Sequence, residues 1–175
     1  MTVVELDYGF PRDANQVVRA LSAHLAALKG QARMPRPADI RPEALPRGVL
    51  PNVILVDVEG DSGPGSEGPW RFRFRLLGEN IREATGQRWA GQYLTAELVG
   101  ADRLAIFRAA YEAPLRQRRP TVAEHTFINF ARDTTYDSLR YLFPLSADDR
   151  IITRLIGFQP IRTGPWQSGG EPRED

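Results

Sequence analysis

The first apolar pattern in the chain has the period of a helix. Within residues 14–29 the apolar side chains recur mostly three or four positions apart, so they share one helical face: Val17, Val18, Leu21, Leu25 and Leu28. Asp13 precedes this stretch as a predicted N-cap, and Gly30 follows it as a predicted stop. The pattern predicts an amphipathic helix over residues 14–29.

The following segment, residues 34–51, is rich in proline and lacks any regular pattern. Proline has no backbone N–H and therefore disfavours both helices and central strands. Five prolines fall in this segment: Pro35, Pro37, Pro42, Pro46 and Pro51. We expect an extended connector that lies along the domain.

The second pattern has the period of a strand. Residues 52–59 are β-branched and apolar, residues 60–69 are rich in turn formers, and residues 70–77 alternate, which predicts a hairpin with a flexible tip. In the second strand phenylalanines alternate with Arg71, Arg73 and Arg75, so the arginines are expected on a solvated face or against an anionic partner.

Helical patterns occupy residues 79–115 and strand patterns dominate again after them. Short helices are expected within residues 79–98, and a longer helix at 101–115 is expected to kink or end near Pro114. Strands are predicted at residues 121–131, 136–146 and 150–161. Strands on both sides of a helical block predict an α+β domain with an antiparallel sheet and its helices on one face.

This reading divides the chain of 175 residues into four parts. They are a helical extension (1–33), the proline-rich connector (34–51), the α+β domain (52–162) and a Gly-, Pro- and charge-rich tail predicted to be disordered (163–175). The domain is long enough to bury a core without disulfides or metals.

The composition and charge of the chain exclude several kinds of site and disfavour several kinds of partner. The chain has no cysteine, which excludes disulfides, thiolate metal sites and flavin–cysteinyl photochemistry. Its net charge of +1 gives no bulk reason to expect a nucleic acid or membrane partner. No apolar stretch is long enough to span a bilayer, and the N-terminus lacks the layout of a secretory signal, so we expect a cytoplasmic protein.

Several short motifs resemble those of PAS domains, whose five-stranded antiparallel sheet is interrupted after the second strand by helices. The motifs are Leu77-Gly78-Glu79-Asn80, Thr85-Gly86 and Gly91-Gln92-Tyr93-Leu94. A narrower resemblance, to stand-alone proteobacterial PAS proteins formerly listed as a domain of unknown function, rests on residues 34–42 and 72–78. The chain departs from that narrower pattern at residue 79 and at residues 87–90.

The resemblance implies a ligand cavity between the sheet and its helices. The polar residues expected to converge there are Asn80, Tyr93, Tyr111, His125 and Tyr141. The helix that supplies the axial histidine of heme PAS domains has none here, so heme is not expected, and the sequence names no other cofactor. No metal site or catalytic motif is predicted.

The sequence therefore predicts a non-catalytic sensory or regulatory PAS module that binds a small apolar ligand, a protein partner, or both. Output is expected through a separate effector protein, and the N-terminal helix is expected to pack on its own sheet or against a second copy in a homodimer. Two alternatives stay open: a small pocket enzyme of the nuclear-transport-factor-like type, and a pure interaction adaptor without a ligand.

Overall fold

An antiparallel sheet of six strands organises the chain in the order β1-β4-β5-β6-β2-β3. The computed structural model describes residues 3–5, 15–85, 89–129 and 134–160, with backbone alone for 3–5, 125–129 and 134–138. The strands are β1 (Val3–Glu5), β2 (Val53–Glu59), β3 (Arg71–Leu77), β4 (Thr121–Asn129), β5 (Thr134–Ser146) and β6 (Ile152–Phe158).

Five of these strands are the predicted ones, and every pairing between them is antiparallel. The hairpin β2–β3 and the meander β4–β5–β6 join where β2 pairs with β6, so the segments on either side of the helical block share one sheet. The sixth strand, β1, adds to the outer edge of β4. It was not predicted, because a strand of three residues is too short to show a period.

Within the described residues, four α-helices accompany the sheet: α1 (Gln16–Lys29), α2 (Glu79–Thr85), α3 (Ala96–Val99) and α4 (Ala101–Gln117). The predicted N-cap of α1 is corrected, because the side chain of Asn15, not Asp13, accepts the hydrogen bond from the backbone N–H of Val17. Asp13 lies outside the described residues. The helix α4 continues through Pro114 to Gln117, where Arg118 adopts a left-handed conformation with φ of 55°.

The sheet is covered on both faces, which corrects the prediction that all helices lie on one side. The helix α1 buries Val18, Leu21 and Leu25 against one face of the central strands. The helices α2 and α4 pack on the other face, where Phe107 and Tyr111 of α4 meet the side chains of β2 and β3. We call the first the α1 face and the second the α4 face.

The proline-rich connector forms three single turns of 3-10 helix at Pro37–Asp39, Pro42–Ala44 and Leu50–Asn52. The carboxylate of Asp149, in the β5–β6 turn, accepts hydrogen bonds from the backbone N–H groups of Arg33 (3.0 Å) and Met34 (2.9 Å). At its other end the connector passes so close to Gly78 that a side chain there would overlap the backbone of Pro51. The connector is therefore anchored along the domain, although it forms short 3-10 turns where an extended segment was expected.

The loop between β2 and β3 is more ordered than its composition predicts. The backbone carbonyl of Asp61 accepts a hydrogen bond from the buried Trp70 side chain at 2.6 Å, and the buried Ser62 hydroxyl donates to the carbonyl of Ile152 at 2.7 Å. The guanidinium of Arg118 donates to the carbonyl of Ser62 at 3.1 Å. These bonds tie the predicted flexible tip to α4 and β6.

The predicted disordered tail, residues 163–175, lies outside the described residues, as does Gly86 of the Thr-Gly motif. The helix α2 ends at Thr85, where that motif predicts a stop. Within the described ranges no helix has both the length and the apolar character that crossing a membrane requires.

Candidate functional site

A group of buried polar side chains lies on the α4 face of the sheet, inside an otherwise apolar core. Arg140 of β5 is only 2% exposed, although arginine is among the residues least often buried. Its Nε donates a hydrogen bond of 3.0 Å to Oε1 of Gln159, which directly follows β6 and is fully buried. We call Tyr111, Arg140 and Gln159 the polar cluster.

The strand and helix geometry explains why these three residues meet. On β5, Arg140 points to the same face as Leu142, because side chains two apart on a strand share a face. Tyr141 pairs with Phe158 in the sheet register, which places Arg140 opposite Gln159. The helix α4 crosses above them, and the Arg140 Cζ lies 5.1 Å from the centre of the Tyr111 ring.

Aromatic rings surround the polar cluster on the helix side. The Arg140 Cζ also lies 4.8 Å from the ring centre of Phe107, one helical turn before Tyr111. The Tyr111 ring contacts Phe72 and Phe74 of β3 at centroid distances of 5.6 and 5.8 Å. A buried guanidinium against the faces of aromatic rings gains cation–π attraction, which is strongest where water is excluded.

Two polar atoms of the cluster have no hydrogen-bond partner. They are the hydroxyl of Tyr111 and Nε2 of Gln159, and both side chains are fully buried. Burial raises the pKa of Tyr111 above its ordinary value, with the nearby Arg140 acting in the opposite direction, so the phenol is protonated at neutral pH. Because a buried polar group without a partner costs free energy, each of these two atoms calls for an explanation, such as an ordered water or a bound molecule.

Of the residues predicted to line a site, Tyr111 lies in the polar cluster and Asn80 lies beside it. The Nδ2 of Asn80, on α2, donates to Oδ1 of Asn52 at 3.2 Å. The backbone carbonyl of Asn52 in turn accepts from the backbone N–H of Gln159 at 3.0 Å. A continuous polar row thus runs across the sheet from Arg140 through Gln159 and Asn52 to Asn80.

The structure does not bring Tyr93 and Tyr141 to this cluster. The hydroxyl of Tyr93 donates to Glu59 at 2.8 Å, and the Arg71 guanidinium covers its ring at 4.2 Å, on the exposed outer part of the sheet. Tyr141 neighbours Arg140 in sequence but belongs to the core beneath α1. These two tyrosines therefore belong to other parts of the molecule.

The fifth predicted residue, His125, lies on β4 opposite Ser138 in the sheet register. Its side chain is outside the described residues, so its predicted role in the site stays a prediction. Among the residues that the structure describes, no group of three or more histidine or acidic side chains could hold a metal ion.

Two of the three arginines in the row on β3, Arg71 and Arg75, belong to a charge network on the outer sheet face. Arg71 pairs with Glu59 at 3.6 Å, and Arg75 pairs with Asp57 at 3.4 Å. Asp57 also accepts a hydrogen bond of 2.8 Å from Arg154 on β6. The carboxylates are therefore engaged in ion pairs, and the network stabilises an exposed face.

Neither Arg140 nor Gln159 is among the residues predicted to line a site, because the sequence pattern placed the helices on one face of the sheet only. The signal was present in residues 142–146, which are apolar or small on both faces of the strand, because helices cover both sides of it. A strand with two buried faces also buries the arginine that it contains.

No protein-family model matches the chain, and no curated protein matches it. The strand order and the insertion of α2–α4 between β3 and β4 reproduce the arrangement expected of a PAS sheet. The domain has a PAS-like fold. It is similar to solved structures that include the light-state structure of the LOV domain of the blue-light photoreceptor Aureochrome1 (15% identity, TM-score 0.42, 65% of this chain and 83% of that one).

Two further structures resemble the PAS-like domain at comparable levels. One is the Rhodobacter sphaeroides LOV protein, with 22% identity and a TM-score of 0.42 over 64% of this chain. The other is an RNA-binding light-oxygen-voltage receptor, with 14% identity and a TM-score of 0.44 over 91% of this chain. This chain covers 58% and 37% of those two chains.

Proposed function

We propose that this PAS-like domain is a non-catalytic sensory or regulatory module that holds a small molecule between the sheet and α4. The observation that carries the proposal is the pair of buried atoms without partners, the Tyr111 hydroxyl and Gln159 Nε2, on two side chains that both contact Arg140. A bound molecule that engages both atoms removes their desolvation cost, and the aromatic rings around them supply an apolar wall.

The polar row gives a bound molecule a route to the rest of the sheet. Gln159 accepts a hydrogen bond from Arg140 through its side chain and donates one to the Asn52 carbonyl through its backbone N–H, so it links the middle of β5 to the end of β6 and the start of β2. The opposite face of these strands carries the apolar contacts with α1, through residues such as Tyr141, Phe158 and Val53. Reorienting the Gln159 amide around a ligand would change the packing beneath α1.

This arrangement makes α1 the output element of the proposed module. The apolar stripe of α1 is already covered by its own sheet, so dimerisation through that stripe would require α1 to leave the sheet. We propose that ligand binding biases this docking, and that a separate effector protein or a second copy of the chain binds the altered surface. Deleting residues 1–30 and weighing the product by light scattering tests the contribution of α1 to self-association.

Native mass spectrometry of freshly purified protein tests the ligand directly. We expect a retained small mass in the wild-type protein and its loss, with the fold intact by circular dichroism, in Gln159→Leu. The Tyr93→Phe variant, which alters a tyrosine outside the site, should keep the mass. Absence of any retained mass, together with no shift in melting temperature across a metabolite library, would refute the proposal.

One observation favours a second candidate, the interaction adaptor without a ligand. The Arg140 guanidinium lies against two rings of α4 and thereby fills part of the space beneath the helix. In that case a buried water would satisfy the two unpartnered atoms. The enzyme alternative loses its basis, since nuclear-transport-factor-like domains place their helices before the sheet and α2–α4 lie between β3 and β4 here.

A further inference from the structure

The polar cluster also specifies the kind of molecule that would fit, provided that the proposed ligand-binding function holds. The amide nitrogen of Gln159 can only donate, and the protonated Tyr111 hydroxyl has a proton to donate. The Gln159 nitrogen therefore calls for an acceptor atom on the ligand, and an acceptor can also take the Tyr111 proton. A hydrocarbon, which satisfies neither group, would leave their desolvation cost in place.

The charge of a neighbouring side chain indicates whether the acceptor atom is neutral or anionic. Among the side chains that the structure describes, Arg140 is the only charged one that is buried, and its guanidinium contacts both Gln159 and Tyr111. An acceptor placed between the two free donors lies close to this cation, where water is excluded and electrostatic attraction is strong. The surroundings therefore favour an anionic oxygen over a neutral one.

The rest of the site is apolar and aromatic. Besides Tyr111, the α4 face presents Phe74, Trp89 and Phe107, whose rings form a connected series with centroid separations of 5.2 Å and 6.1 Å. The buried residues next to them on β2 and β6 are aliphatic. These surfaces suit a hydrocarbon or aryl body, and they offer a multiply charged phosphate few donors for its other oxygens.

From these observations we infer that the ligand is a small carboxylic acid with an apolar or aromatic body. Its carboxylate would accept hydrogen bonds from the Tyr111 hydroxyl and Gln159 Nε2 next to the Arg140 guanidinium, and its body would lie against the aromatic side chains of the α4 face. The inference replaces the purely apolar ligand expected from the sequence with an amphipathic one that has a single anionic end.

Matched probe pairs test the inference by titration calorimetry on the full chain, after removal of any retained molecule. The probes are 3-phenylpropanoate, indole-3-acetate and octanoate, each compared with its primary amide, which keeps the shape and one acceptor but loses the charge. We expect at least one acid to bind about tenfold or more tightly than its amide, because hydrogen bonds to charged groups are the stronger ones. The Gln159→Leu and Tyr111→Phe variants should each bind that acid about tenfold more weakly than wild type. The Tyr93→Phe variant should bind it with unchanged affinity.

The outcomes separate this inference from the proposed function. If acid and amide bind equally well, or if Gln159→Leu binds the acid as tightly as wild type does, the inference of a carboxylate ligand is wrong. The proposed ligand-binding function would then still stand. If no probe binds, the mass retained by the purified protein decides: an organic acid supports the inference, and a neutral or cationic molecule overturns it. If no probe binds and no mass is retained, the proposed function fails together with the inference.

Discussion

Replacing Tyr111 with phenylalanine should stabilise the protein once any bound molecule has been removed. The substitution deletes one oxygen, and that oxygen is buried and has no hydrogen-bond partner. Leaving such a group unsatisfied costs about 1–3 kcal/mol, part of which is recovered when the hydroxyl is removed. Allowing for the small void left behind, we expect a net gain of about 1 kcal/mol, or roughly 2–4 °C in melting temperature for a domain of this size.

The matched control is the same chemical change at Tyr93. Its hydroxyl donates a hydrogen bond of 2.8 Å to Glu59, so Tyr93→Phe removes a bond that is made. This variant should lose about 0.5–1.5 kcal/mol, the usual net worth of one hydrogen bond. Urea unfolding measures both variants. The free energy of unfolding should rise in Tyr111→Phe and fall in Tyr93→Phe.

Alkaline pH supplies a second readout for Tyr111. Burial raises the pKa of its phenol above the ordinary value of 10.0, so the unfolded chain releases this proton more readily than the folded one. The contribution to stability is complete below pH 10.0 and is lost as the pH rises through the folded-state value. Tyr111→Phe should therefore lose stability less steeply above that pH. A ligand-free Tyr111→Phe protein less stable than wild type would refute the claim that the hydroxyl lacks a partner.

Three further predictions concern the frame around the site. Gly157→Ala should destabilise the protein by about 1–3 kcal/mol in denaturant unfolding, because the added methyl would lie 2.7 Å from a leucine on the neighbouring strand and 2.9 Å from a backbone carbonyl. The control Gly63→Ala, whose added methyl would make only ordinary or slightly tight contacts, should be near neutral. Arg118→Met should cost about 1–3 kcal/mol by calorimetry, because three backbone carbonyls lose their donor, and Arg41→Met at an exposed position serves as its control. Hydrogen bonds from backbone N–H groups lower the pKa of Asp148 below 3.8, so its contribution to stability is present above that pH and fades as the pH falls. The difference in unfolding free energy between wild type and Asp148→Asn should therefore shrink in acid. A difference that grows in acid would contradict this reasoning.

The sequence predicted the sheet because its information is local. Alternation in the segments that became β2 and β3, the turn residues between strands, and the helical pattern before β4 each follow from short-range preferences. The errors at helix ends are also local. Asn15 caps α1 in place of Asp13 because the helix begins two residues later than predicted, and α4 ends three residues after Pro114.

The polar cluster could not be predicted in the same way, because it depends on contacts between distant segments. Arg140 is buried because α1 covers one face of β5 and α4 covers the other. Gln159 meets Arg140 only through the pairing of β5 with β6. The resemblance to PAS domains drew attention to tyrosines, and Tyr111 of α4 is buried against the sheet, while its role in binding a ligand stays a prediction. It could not distinguish that tyrosine from Tyr141, which lies on the opposite face of the sheet.

The central claim concerns what occupies the space next to Tyr111, Arg140 and Gln159, and a crystal structure of the freshly purified protein at high resolution addresses it most directly. The account predicts density for a molecule larger than water, with an oxygen within hydrogen-bond distance of both the Tyr111 hydroxyl and Gln159 Nε2. Density for a single water there, or side chains that close over the space and pair these atoms with each other, would contradict it.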